Sequence, residues 1–453
     1  MKKIRFITVC MLFAIVFWHA PVHAQNEPPT EDSPEASTEA ESIESGTGAL
    51  ETETESNAFD ESLEEFPGFK KFYKNSQVTV VPIPVFATQP DEGQTYGVMP
   101  TILITNKSGS RMKTIISPQI AYNTLTRVMG TAAILVYPSK NSTLSVFGGA
   151  AERFYQEYEV IYSDQKAFNG DFYINVASRF YRNPFGRFFG LGPTSTKASK
   201  AYFTANTYLA ETTIGYNILP QLRVSSIEHF YYQSLRNPLP GKNPDIITAF
   251  GNSNDVANGR NLTNSVALSY NSNRFNSTAI PFSKTEASGA FLFSNKKLGS
   301  DFNFTGTDWM VKQTLSYGPK RWFSTIIRFH YRQVFGSTLP FFELPSLGGA
   351  NELRGYTAGR FVDKGMGILQ IEQRNHIAHI DFFHRAAGDL YIDPFFEVGQ
   401  VFHETSDFAW NNLQPVGGLG FRFYIPPGML ARVDVGFSRE ENFQVFTVLN
   451  YPF

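Results

Sequence analysis

Between residues 344 and 364 the chain reads LPSLGGANELRGYTAGRFVDK, in which Leu353, Arg354, Gly355 and Tyr356 follow the pair Gly348 and Gly349. Further on stand Glu372 and Arg374, then Glu397 and Gly399 within FFEVG, and finally Asp434. The chemistry open to these residue types is electrostatic rather than covalent. An arginine fork that meets a carboxylate makes a directional, charge-assisted tie worth roughly 1.5–3 kcal/mol, and Gly355 beside it permits close backbone approach. Nucleophilic chemistry has no support, since none of the 8 histidines has H-x-S spacing and no G-x-S-x-G is present. A barrel-embedded lipid hydrolase is therefore the remotest reading, and no catalytic residue is assigned. His376, His379 and His384 cluster at an expected turn, the first two on opposite strand faces, which predicts satisfied turn histidines rather than metal ligands. No cofactor and no metal are expected.

To meet, these charges need a wall with an inside. Alternation supplies one: Tyr391, Asp393 and Glu397 share a face opposite Leu390, Ile392, Phe396 and Val398, so Glu397 points inward. The same period of two places Ile327, Phe329 and Tyr331 against Arg328, His330 and Arg332, and sets Ala431, Val433 and Val435 against Arg432 and Asp434. The chain ends FQVFTVLNYPF, so Tyr451, Pro452 and Phe453 close a strand on an aromatic residue, as suits a headgroup region rather than water. Beyond the amino-terminal segment no run of about 18 apolar residues exists, so spanning helices are not expected. With 15% aromatic residues, 35 Gly and only 18% charged residues, the composition favours a transmembrane antiparallel β-barrel, all-β, over a soluble fold.

Sixteen segments of this kind run from residues 95–105 to 443–453, with 143–158 taken as one. Residues 78–86 form a further candidate, either the first strand or a lead-in. An even count keeps both ends on one side, and sixteen strands put the long stretches 236–260 and 336–365 on the outer side, the latter as the sixth external loop, folded into the lumen.

The amino terminus places Lys2, Lys3 and Arg5 before an apolar stretch and a small-x-small site at Val22, His23 and Ala24, which predicts a signal peptide over 1–24. The only cysteine, Cys10, lies inside it, so disulfides are not expected. Of the 41 acids fourteen fall within 25–65, a stretch without Lys or Arg, and of the 39 bases three precede it. From Phe66 onward 27 acids therefore face 36 bases. Residues 25–77 are expected to form an acidic, disordered leader and short linker, and 78–453 the barrel. Phe69, Phe72 and Tyr73 among Lys70, Lys71 and Lys74 suit either a short interfacial helix or an exposed turn.

The Gly pair followed by Leu353-Arg354-Gly355-Tyr356, with Phe395-Phe396-Glu397-Val398-Gly399 and Glu372-x-Arg374, resembles the lumen-inserted sixth loop and its partner motifs in the BamA/TamA superfamily (bacterial surface antigen domain). The resemblance is strongest over about 265–453, with Phe189-Gly190-Leu191-Gly192-Pro193 as a lesser match; Glu397 stands where Asp is more usual. It implies an outer-membrane barrel, monomeric, whose Arg354 is held by Glu372 and Glu397. Such a barrel acts in assembly, insertion or translocation of proteins, or in lipid handling. Its partners would be outer-membrane lipids and client polypeptides, with no nucleic acid. It would be a short member, without the periplasmic modules of larger ones. A passive outer-membrane pore is the alternative, and a seam between first and last strands is a place where Pro82, Pro84, Pro100 and Pro452 remove ladder donors.

Overall fold

The computed structural model describes residues 71–89, 91–251, 254–274, 283–337, 339–382, 386–425 and 429–450. The expected signal peptide, nearly all of the leader, His384, and the terminal Tyr451, Pro452 and Phe453 lie outside these residues.

Twenty strands follow in chain order: β1 (Ser76–Gln89), β2 (Gly93–Asn106), β3 (Met112–Asn123), β4 (Arg127–Val136), β5 (Ser142–Ala151), β6 (Gln156–Ala167), β7 (Phe172–Phe188), β8 (Ala201–Asn217), β9 (Leu222–Arg236) and β10 (Gly259–Asn271). Then come β11 (Lys284–Ser294), β12 (Phe304–Tyr317), β13 (Phe323–Phe335), the short β14 (Ser346–Leu347) and β15 (Phe361–Val362), β16 (Gly365–Phe382), β17 (Ala386–Phe402), β18 (Gln414–Ile425), β19 (Met429–Phe437) and β20 (Gln444–Asn450). All but β14 and β15 form one 18-stranded sheet in which each strand runs antiparallel to its neighbour in sequence, β13 passing directly to β16. The first and last strands come back beside each other, with Cα atoms within 8 Å. Among the described residues no ladder joins them.

Eighteen strands replace the sixteen expected, for two physical reasons. Residues 78–86 belong to β1, which pairs with β2 from Ser76↔Asn106 to Gln89↔Gly93. The stretch 143–158 is also two strands, because the chain reverses at 152–155 through Phe154 in a left-handed conformation (φ 65). No Gly, Pro or Asn marks that turn, so the usual punctuation is missing. The added pair keeps the parity, with short turns such as 107–111, 137–141 and 218–221 at one end and the long connections 189–200, 237–258, 336–364 and 403–413 at the other. The long loop is accordingly the seventh connection at its end, not the sixth.

Alternation holds around the wall. Val98, Ile120, Tyr208, Val266, Trp309 and Phe329 are exposed on the outside, while Thr101, Gln119, Arg223, Asp393 and Glu397 are buried within. At the short-turn end a helical turn at 71–73 leads into β1, and Lys113 Nζ donates to the Phe72 and Lys74 carbonyls.

Candidate functional site

The connection 336–364 folds back inside the barrel, and its turn geometry explains the glycines. Gly348 and Gly349 both have φ 113, and a Cβ on Gly348 would lie 2.2 Å from the Thr357 carbonyl oxygen. Leu353, also left-handed at φ 52, is fully buried with Tyr356 in a cluster that includes Leu347, Phe361, Ile368, Phe395 and Val416. The residue between them, Arg354, is thereby aimed at the wall.

Arg354 is 4% exposed and meets three carboxylates. Its Nε donates to Glu397 Oε1 at 2.7 Å, and its backbone N–H to Glu397 Oε2 at 2.6 Å. Its second arm donates to Glu372 Oε2 at 3.0 Å and lies 3.3 Å from Asp434 Oδ2. The guanidinium also stacks over the Phe395 ring, 3.7 Å from its centroid. Burial alone would lower the Arg354 pKa, but Glu397, Asp434 and Glu372 together raise it, so the group stays charged. The opposing wall is built to take the loop: a Cβ on Gly436 would fall 2.2 Å from the Arg354 carbonyl oxygen, and one on Gly355 only 3.0 Å from the Phe437 backbone.

The carboxylates are shared. Arg374 donates to Glu372 Oε1 at 2.8 Å and to Asp393 Oδ2 at 2.9 Å. Arg422, 2% exposed, reaches Glu372 at 3.1 Å, Asp393 at 3.2 Å and Asp434 at 2.6 Å. Arg432 lies 3.2 Å from Asp434 and also donates to the Ala350 carbonyl at 2.9 Å. Four arginines and four acids from β16, β17, β18, β19 and the loop thus form one network, which lets each buried charge find an opposite one.

The rest of the loop is held as firmly. Glu352 accepts from Arg328 at 3.0 Å and sits 2.7 Å from His330 Nδ1 on β13. Arg360, 1% exposed, pairs with Glu440 on the β19–β20 turn and donates to Ser195 Oγ on the β7–β8 connection. Tyr356 donates to Gln414 at 3.0 Å. Toward the long-loop mouth, Phe341, Leu344 and Val362 of the loop pack with Phe188 at the end of β7, Phe203 near the start of β8, and Ile246, Phe250 and Val256 of the 237–258 connection. Two connections and the adjoining strand ends together make an apolar plug.

The motif residues Leu353, Arg354, Gly355 and Tyr356 therefore come together with Glu372, Arg374, Glu397 and Asp434. Gly399 does not touch Arg354; it lets β16 approach, since a Cβ there would meet the Gly367 oxygen at 2.8 Å. Sequence reasoning missed Arg422, Arg360 and Glu352. A lone base between Phe421 and Phe423 in a strand was the available signal for Arg422. The histidine expectation also needs correction: a bulge between His376 and Ala378 lets His376 and His379 both reach Asp389, at 3.1 and 2.9 Å, instead of facing apart.

The Omp85 superfamily domain matches residues 140–445. Among solved structures, BamA from Haemophilus ducreyi lacking POTRA domains 1-3 aligns with a TM-score of 0.51 at 14% identity, covering 88% of this chain and 79% of that one. CdiB from Acinetobacter baumannii aligns with a TM-score of 0.41 at 11% identity over 84% of this chain and 66% of its own. No curated protein matches the chain.

Proposed function

Because the chain belongs to the Omp85 superfamily, we propose that it inserts or translocates polypeptides at the bacterial outer membrane, through the seam where β1 and β20 meet. The state of that seam carries the reading. In a strand, a residue's nitrogen and carbonyl point to the same neighbour. Pairing of β2 with β3 runs to Val98↔Ile120 and resumes at Ile102↔Ile116, and the interval holds Pro100 and Pro118, so the Pro100 nitrogen faces β3. Pro82 lies opposite Pro100, hence its own nitrogen turns away from β2 toward the seam, and Pro84 follows two residues on. The β1 edge lacks two ladder donors where β20 or an incoming strand would pair.

The apolar plug at the mouth argues against a passive pore, which needs an open path, and the tied loop would serve no purpose in one. Lipid handling would use the same seam. The test is a photoreactive residue at Val80, exposed on the outer side of β1, activated in growing cells. Adducts with newly made outer-membrane or secreted polypeptides, lost when translation stops, are expected. Adducts with lipid alone would sink the polypeptide reading.

A further inference from the structure

The lipid-facing belt of β8, β9 and β10 carries a row of polar residues that lipid cannot satisfy. On β8 the belt lies between Tyr208 and Tyr216, and on β9 and β10 it includes Phe230, Val266 and Leu268, all exposed. Glu228 shares the outward face with Phe230, two residues away, and is itself exposed. Thr212 on β8 and Asn264 on β10 stand directly opposite it on either side, and Ser226 Oγ donates to Glu228 Oε1 at 3.3 Å. Among the described outward positions within the apolar belt of β7 to β13, Glu228 is the one carboxylate. Asn264 Nδ2, buried beneath the surface, has no hydrogen-bond partner among the described residues. A carboxylate on the lipid face near the middle of the belt is costly, and so is an unmatched amide.

We propose that this face is where a second copy of the chain docks, so that the barrel is a dimer in the membrane rather than the monomer that its sequence suggests. The occupant follows from self-complementarity. A two-fold axis along the membrane normal, passing between β9 and β10, brings Glu228 of each copy to Asn264 of the other, an acceptor to a donor twice over. A turn of the Asn264 amide presents its nitrogen outward. Shape agrees with charge. On the β7–β8 flank, small Ser178 and Ala210 leave a dent of about 290 Å³ among Tyr158, Phe180, Tyr208 and Phe230. On the opposite flank Phe291 projects from β11, 51% exposed. The same axis carries each copy's ring toward the other's dent.

Copy number in lipid vesicles tests this, measured by native mass spectrometry of the full chain and by subunit counting through stepwise photobleaching at low surface density. The wild-type protein is expected to give two copies. Glu228→Leu with Asn264→Leu suits lipid better than the native pair, so the barrel still folds, yet association should weaken roughly tenfold. The exchange Glu228→Asn with Asn264→Glu keeps the complementarity and should restore dimers. A monomeric wild type, or a dimer indifferent to the double leucine variant, overturns the proposal. Because the readout is copy number, it stands or falls apart from the polypeptide-handling reading.

Discussion

The wall from β16 to β19 and the wall from β1 to β3 solve the same problem, continuity of a closed sheet, with opposite means. In the former, Glu372, Asp393, Glu397 and Asp434 are each bound from within by arginines, and Arg354 brings the loop into the same network. The strands there could not separate without stranding buried charge. In the latter, Pro82, Pro100 and Pro118 fall in one row across three strands, the β2–β3 ladder lapses beside them, and the hydroxyls of Thr101 and Ser117, 3.1 Å apart, meet across the gap on the inner side. The ladder is thinner there by the donors that the prolines remove. The hairpin tip is nonetheless latched across the mouth: Glu92 pairs with Arg187 at 2.6 Å, and Asp91 with Lys200 at 2.6 Å and Lys242 at 3.2 Å. Burial would raise the Asp91 pKa, but the two lysines hold it at about 2. A rigid side and a side with a broken ladder, meeting at the seam, suit the opening proposed there.

The comparison breaks first at Arg354. Arg354→Ala leaves Glu397, fully buried, with Gln370 as its remaining side-chain donor, and should weaken loop docking by about 3–5 kcal/mol. Limited proteolysis in membranes should then cut within 336–364, while the barrel keeps its heat-modifiable mobility on gels. Glu397→Ala should act in the same direction. A loop as protected in both variants as in the wild type would mean that the stiffness of this wall has another origin.

Much of this was legible in the residues alone. Period two gave the barrel and the inward direction of Glu397, and the Arg-Gly-Tyr motif gave the loop, because both signals are local. What stayed hidden depends on pairing between distant segments. Arg422 is one base in an apolar strand until β17 and β19 bring Asp393 and Asp434 to it. The row of prolines appears only once register sets Pro82 against Pro100. The turn at 152–155 was missed because bulky, charged and aromatic residues occupy it, so tertiary pairing overrides the local chemistry.

One further anchor of the tied loop is pH-sensitive. Glu343, half-buried against β10, accepts from Asn261 at 2.7 Å, and loss of solvent around its carboxyl outweighs Asn261 and Arg332 to push the pKa up to about 7. A raised folded pKa means that the neutral form is the one the fold prefers. Its contribution is complete below the ordinary value of 4.5 and fades as pH rises through 7. Hydrogen exchange of 339–345, corrected for intrinsic rates, should therefore quicken by about tenfold between pH 5 and 8, and Glu343→Gln should remove that dependence. If the wild type shows none, the charge on Glu343 has no part in holding the loop.

The smallest effect tests the compliant wall. Pro100→Val with Pro118→Val supplies two backbone donors where the β2–β3 ladder lapses, each worth about 0.5–1.5 kcal/mol once formed. The side chains face outward, where Val suits lipid and strand alike. Amides of residues 98–102 and 116–120 should then exchange several-fold more slowly, by roughly the factor that those energies imply, while amides of β17 and β18 stay unchanged. If the double variant also captures fewer polypeptides from Val80 without any loss of folded barrel, then softness of the first three strands is what opens the seam. Slower exchange with undiminished capture would instead confine the opening to the β1–β20 line, and the prolines at 100 and 118 would serve only to bend the wall.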